Sequence, residues 1–128
     1  MRIPQGFSTV TPYFFVEGAD LFLQFLAEAF GAVEIGRHMN RERIANAQVR
    51  LGTSTVMVSE ASAEFPAMPA SYYLYVDNAD EAMLKAIAAG GEKIMDVATM
   101  PYKDRQGGIR DQFGNLWWLS ERLTDDPY

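Results

Sequence analysis

The chain offers few groups able to move a proton or attack a substrate. It contains one histidine, His38, and no cysteine, which excludes thiol catalysis, disulfides and thiolate metal sites. His38 is followed by Met39-Asn40-Arg41; nearby arginines disfavour a bound cation, so it reads as an exposed histidine at a strand end. No paired carboxylates and no Ser/His/Asp set are present to supply general acid–base or nucleophilic catalysis. Asp104-Arg105 reads as an ion pair that fixes a loop before a turn at Gly107-Gly108. The expectation is therefore of no catalytic residue, no metal and no cofactor.

The remaining polar and aromatic residues suit binding. Strand alternation from Thr11 puts Thr11, Tyr13 and Phe15 on one face and Pro12, Phe14 and Val16 on the other. Ser71, Tyr73 and Tyr75 share a face in the same way. With Asn46, Gln48, Arg50, Met57, Arg110 and Trp118, these predict an aromatic-lined cleft with a few polar heads, the usual make-up of a small-molecule pocket. Aromatic walls stack planar or cationic ligands, each cation–π contact contributing about 0.5–2 kcal/mol. The same tyrosines and tryptophan are also ordinary sheet formers, and part of the set equally suits core or a dimer interface. Arg50 and Arg110 are either cleft residues or surface partners of Asp104, Asp111 or nearby glutamates.

An internal repeat positions these residues. Thr11–Gly31 laid over Ser71–Gly91 gives identities at Tyr13/Tyr73, Val16/Val76, Ala19/Ala79, Asp20/Asp80, Ala29/Ala89 and Gly31/Gly91. Val49-Arg50 then falls on Ile109-Arg110 and, after one inserted residue, Ser59-Glu60 on Ser120-Glu121. Such regularity marks a duplicated supersecondary module. In the first copy, Thr9–Glu17 reads as a strand and Asp20–Phe30 as an amphipathic helix closed by Gly31. Short strands follow at Val33–His38, Ile44–Leu51 and Thr55–Ser59. The second copy has a strand over Ser71–Asp77, a helix over Ala79–Ala89, a stop at Gly90-Gly91, and strands over Lys93–Val97, Gly108–Asp111 and Leu116–Ser120. Asp111–Asn115 reads as a hairpin with Gly114 at positive φ. Leu21, Phe25, Leu26, Met83, Leu84 and Ile87 are predicted as helix core, and the tail Thr124–Tyr128 as frayed.

The order strand-helix-strand-strand-strand, twice, predicts an α+β fold. Each βαβββ module makes a four-stranded sheet, and two sheets set edge to edge form a cup-shaped mixed sheet with helices on the outer face. At 128 residues this is one domain, with repeats over 9–60 and 71–121 and a Pro66/Pro69-bearing linker over 61–70. The net charge of −6 and pI near 4.7 disfavour nucleic acid as a partner. The start Met1–Gly6 carries no leader pattern and no stretch is long enough for a membrane span, so the expected location is cytoplasmic.

Three stretches carry a family resemblance: Val10-Thr11-Pro12-Tyr13, Ala29-Phe30-Gly31-Ala32, and Asp104-Arg105-Gln106-Gly107-Gly108-Ile109-Arg110-Asp111-Gln112-Phe113-Gly114-Asn115-Leu116-Trp117-Trp118. Together with the βαβββ duplication, they resemble the vicinal oxygen chelate superfamily of glyoxalase, bleomycin-resistance and extradiol dioxygenase proteins, and within it the small PhnB-like members. Metal-dependent members hold a divalent ion with His, Glu or Gln from the first and fourth strands of each half. The resemblance carries those positions onto Thr11, Met57, Ser71 and Trp118. Two hydroxyls, a thioether and an indole are not a ligand set for a catalytic divalent ion. PhnB-like relatives commonly carry His and Glu where this chain has the amides Asn46 and Gln48.

The resemblance thus implies a metal-free small-molecule-binding protein, sequestering an aromatic or cationic organic compound in a homodimer. The alternative is a lyase, transferase or isomerase of the same superfamily with a non-standard metal or none. A third reading is a regulatory or assembly module whose cleft is filled by its own side chains.

Overall fold

A computed structural model describes residues 1–128. The chain divides into two compact units, Met1–Pro69 and Ala70–Tyr128. In the first, β1 (Tyr13–Val16) leads to helix α1 (Ala19–Phe30), then β2 (Val33–Asn40), β3 (Arg43–Leu51) and β4 (Ser54–Glu60). The second repeats the order with β5 (Ser71–Tyr75), α2 (Ala79–Ala88), β6 (Glu92–Thr99), β7 (Asp104–Arg110) and β8 (Leu116–Arg122).

Each unit holds one mixed four-stranded sheet, ordered β1-β4-β3-β2 in the first and β5-β8-β7-β6 in the second. The strand before the helix pairs in parallel with the last strand, and the other pairings are antiparallel. This follows from the connections: a helical crossover returns the chain parallel, whereas short turns between the later strands return it antiparallel. Each helix packs on one face of its own sheet. The first core gathers Phe14, Val16, Phe22, Leu26, Val49 and Val58, and the second Met83, Ala86, Ile109, Trp117 and Leu119.

The element order, the helices and the α+β class match the sequence reading; several details differ. β1 is shorter than Thr9–Glu17, because Pro12 has no N–H for the ladder and contributes only its carbonyl, which accepts from Met57 N at 2.9 Å. The helix stripe is narrower than expected. Phe25, Leu26 and Met83 are buried, but Leu21, Leu84 and Ile87 are 65%, 69% and 43% exposed. A short helix on a single sheet buries one face, and those three residues fall at its margins.

The strand predicted over Gly108–Asp111 starts earlier, so Gly107 and Gly108 lie inside β7 and make no turn. A Cβ on Gly108 would stand 2.8 Å from Trp118 Cζ3; glycine is needed there because the neighbouring indole lies against the backbone. Asp104 and Arg105 do not pair with each other. Arg105 Nε donates to Asp80 at 2.7 Å, and Arg122 Nη1 donates to Asp104 at 2.9 Å. The hairpin over Asp111–Asn115 is present with Gly114 at φ 87°. Asp111 Oδ1 accepts from the backbone amides of Phe113 and Asn115, and its Oδ2 from Asn115 Nδ2 and Trp117 Nε1.

Candidate functional site

The register of each sheet sorts the predicted site residues onto the face that its own helix leaves open. In the first unit, Tyr13, Met57, Gln48 and Gly36 form one cross-strand row, and Phe15, Ser59, Asn46 and His38 run alongside. The predicted residues Tyr13, Asn46, Gln48 and Met57 are therefore neighbours on one surface, with Thr11 two residues before the start of β1. Gln48 Nε2 donates to Asn46 Oδ1, and the Gln48 side chain folds over Gly36, where no Cβ stands in its way. The Tyr13 and Phe15 rings lie 4.7 Å apart. Arg50 sits at one end, donating to the Gly6 carbonyl at 2.9 Å and to Thr55 at 3.2 Å rather than to a carboxylate.

In the second unit, Tyr73, Trp118 and Gly108 form the corresponding row, flanked by Tyr75, Ser120 and Gln106 on one side and Ser71, Leu116 and Arg110 on the other. The predicted residues Ser71, Tyr73, Tyr75, Arg110 and Trp118 thus share one surface. Trp118 Nε1 donates to Ser71 Oγ at 2.8 Å, and the Tyr73 and Tyr75 rings are 5.3 Å apart. Tyr73 and Tyr75 are 45% and 57% exposed, so both present ring area to a ligand. Arg110 is exposed at the end of its strand and takes part in none of the salt bridges.

The repeated Ser-Glu dipeptide has a structural cause. Adjacent strand residues point to opposite faces, so the serine reaches the open face and the glutamate the helix side. Glu60 accepts from Gly18 N and Ala19 N at 3.0 and 2.9 Å, capping α1, whose Gly18 supplies no side-chain cap. Glu121 accepts from Ala79 N at 2.9 Å and caps α2, where Asn78 also accepts from Glu81 N.

On the open faces the serines anchor the repeat-equivalent tyrosines, but with different acceptors. Tyr13 donates to Ser59 Oγ at 2.6 Å, and Ser59 donates to the Ala45 carbonyl at 2.6 Å. In the second unit Tyr73 and Ser120 both donate to Asp104 Oδ2, at 2.5 and 2.9 Å.

Asp104 is fully buried and also accepts from Arg122 on Oδ1 and from the Tyr128 hydroxyl on Oδ2, at 2.9 and 2.7 Å. Burial opposes its ionisation, but the donors Tyr73, Tyr128, Arg122 and Ser120 outweigh that and hold the carboxyl below the usual carboxylate range. Tyr73 is shifted the other way: burial and its bond to Asp104 push the phenol above its ordinary value. A carboxylate so fully engaged is a fixed acceptor, not a proton shuttle.

Sequence reasoning missed Asp104, Ser120, Arg122 and Tyr128 as site residues. The Ser59/Ser120 and Tyr13/Tyr73 identities were the available signal for the tyrosine–serine half of the cluster. The tail is not frayed: Arg122 Nη2 donates to the Asp126 carbonyl at 2.7 Å, and its guanidinium lies 4.1 Å from the Tyr128 ring centroid.

The side chains that the family resemblance aligns with metal-ligand positions are not a donor set suited to a divalent ion. Trp118 offers no lone pair and is itself a donor to Ser71; Thr11 and Met57 add a neutral hydroxyl and a soft sulfur. No group of three or more His, Cys, Asp or Glu side chains is arranged to hold a metal. His38 is exposed in β2, opposite Asn46. Surface depressions occur at the β2–β3 turn over Asn40–Arg43 and beside α1, lined by Asp20, Leu23, Glu34 and Arg37 among others; neither includes a predicted site residue. No helix is long and apolar enough to cross a membrane.

No family model matches the chain. An uncharacterised protein of Mycobacterium bovis is 25% identical over 131 residues, spanning 91% of this chain and 84% of the relative. Among solved structures, TioX from Micromonospora sp. ML1 superposes with a TM-score of 0.74 at 21% identity, covering 94% of this chain and 100% of that one. TnmS3, an antibiotic binding protein from Streptomyces sp. CB03234, gives 0.69 at 16% identity over 90% and 97% of the two chains. A glyoxalase/bleomycin resistance protein/dioxygenase family enzyme from Burkholderia phytofirmans PsJN gives 0.70 at 19% identity over 87% and 95%. With its twice-repeated βαβββ order and two mixed four-stranded sheets, the chain has the fold of the glyoxalase/bleomycin resistance protein/dioxygenase superfamily.

Proposed function

We propose that this protein binds a small aromatic or cationic organic molecule without a metal and acts by holding it rather than transforming it. The observation that carries this reading is the second unit's open face. Trp118 lies over Gly108 with its N–H engaged by Ser71, and Tyr73 and Tyr75 stand beside it, largely exposed yet fixed by hydrogen bonds. Rigid aromatic rings whose polar tips are already satisfied offer stacking area at low entropic cost. The exposed Arg110 on the same face provides an orienting group. TnmS3, an antibiotic binding protein, supports sequestration on this fold as a precedent. Catalysis lacks means on these faces: the buried carboxylate is fully hydrogen-bonded, and the one histidine is at an exposed strand position.

A cytoplasmic homodimer is part of this proposal. The test is a titration of intrinsic tryptophan fluorescence with a panel of planar aromatic and aromatic-cation compounds, run in parallel on Trp118→Phe. Saturable quenching in the native protein that weakens at least several-fold in W118F supports the reading. Turnover of a bound compound, or binding indifferent to W118F, Y73A and Y75A, counts against it.

A further inference from the structure

The second unit's open face already holds a phenol: the chain's own Tyr128. Its hydroxyl donates to Asp104 Oδ2 at 2.7 Å and lies 2.7 Å from the Tyr75 hydroxyl, so that Tyr75 donates in turn. Its ring stacks under the Arg122 guanidinium at 4.1 Å, with the Tyr102 ring edge-on at 6.5 Å. Tyr128 nevertheless remains 71% exposed. It is held by its polar atom and one cation–π contact rather than by burial.

We propose that this slot is a recognition subsite for neutral hydroxyaryl compounds, and that Tyr128 occupies it as an exchangeable stand-in. This rests on the reading of the open face as a small-molecule surface and names the chemical class that it takes. Three features specify the class. The acceptor is a fully buried carboxylate, so the ligand must bring a hydroxyl hydrogen, and an O–H···O⁻ bond in such a site is strong. A phenolate is rejected by the same charge. Tyr75 can donate to the incoming oxygen, completing its hydrogen bonding. Arg122 covers the ring face, which favours an electron-rich aromatic over an aliphatic alcohol.

Exchange is feasible because Asp104 does not depend on Tyr128 for its charge. Tyr73 and Ser120 stay on Oδ2 and Arg122 on Oδ1 when Tyr128 leaves. The plug is tethered, however, and a tethered group competes at an effective concentration of order millimolar. Free phenols therefore bind the native protein more weakly than the vacated slot.

The test uses p-cresol and its hydroxyl-free counterpart toluene, titrated by protein NMR into the native chain, Tyr128→Ala and Tyr128→Phe. Y128A should bind p-cresol about 10-fold more tightly than the native chain, Y128F should fall between them, and toluene should gain no comparable advantage. Adding Tyr75→Phe to Y128A should weaken p-cresol about five-fold, without removing a charge from the buried site. Should Y128A fail to fold, Y128F carries the comparison, since it keeps the ring and loses only the competing hydroxyl. Equal p-cresol affinity in all the chains, or toluene binding as well as p-cresol, would overturn the inference. If the phenol preference is absent while other aromatics still quench Trp118, only this inference fails. If neither occurs, the proposed function fails with it.

Discussion

Tyr13 and Tyr73, and the serines that hold them, are repeat-equivalent, yet one pair ends on a backbone carbonyl and the other on a buried carboxylate. That single difference makes the second face the chemically distinctive one. Asp104→Asn leaves Arg122 without its anion and the tyrosine hydroxyls on a weaker acceptor; breaking such a buried pair costs about 3 kcal/mol, to be measured by urea denaturation at neutral pH. The pH dependence follows from the direction of the shift. Because the folded-state carboxyl of Asp104 is held below its unfolded value, its stabilisation is present in full above the unfolded pKa of about 3.9 and is lost as pH falls below it toward the folded value. The native chain should therefore lose stability on acidification more steeply than D104N, and parallel acid limbs would contradict the assignment.

Little of this was legible residue by residue. Tyr73 and Ser120 were visible as repeat identities, but the partners of Asp104 and Arg105 lie 18 and 25 positions away. Such pairings are set by strand register, and adjacency in sequence pointed wrongly to Asp104-Arg105.

At the scale of elements, the amphipathic periods, Gly31 and the repeat located both helices and most strands. Capping was the subtler matter. Gly18 cannot cap α1 with a side chain, and Glu60 does so from the far end of β4, whereas α2 has both Asn78 and Glu121. Glu60→Ala should thus cost about 1–2 kcal/mol, and Glu121→Ala distinctly less, as read from paired thermal melts. Equal losses would contradict the division of labour between the caps. The amino end of β7 was missed because Asp104 and Gly107 lack strand propensity; the hydrogen bonds of Asp104 to Tyr73, Ser120 and Arg122 override it. Gly108→Ala should push Trp118 off the sheet, at a cost of about 1–3 kcal/mol, and shift its emission; an unchanged spectrum would mean that the indole is not held there. The exposure of Leu21, Leu84 and Ile87 was not legible either, because a helical stripe gives the apolar side of a helix but not how much of it a small sheet covers.

For the whole molecule, duplication yields two units of the same topology whose open faces have diverged in chemistry: amides beside Tyr13 and Phe15 in the first, an indole and two tyrosines around a buried carboxylate in the second. The net charge of −6 favours cationic over anionic ligands at long range, an attraction that salt should weaken. Binding to the folded state alone should raise stability by about 2.7 kcal/mol at 100 times the dissociation constant, whatever the ligand. That linkage makes the metal question decisive. The most direct measurement is a thermal melt of the purified protein in EDTA and with Ni²⁺, Mn²⁺, Zn²⁺ and Fe²⁺ added singly, alongside elemental analysis. The donor chemistry of Thr11, Met57, Ser71 and Trp118 predicts no stoichiometric metal and superimposable curves. Stoichiometric metal with a melting point that falls in EDTA would contradict the account and bring a metal-dependent enzyme to the fore.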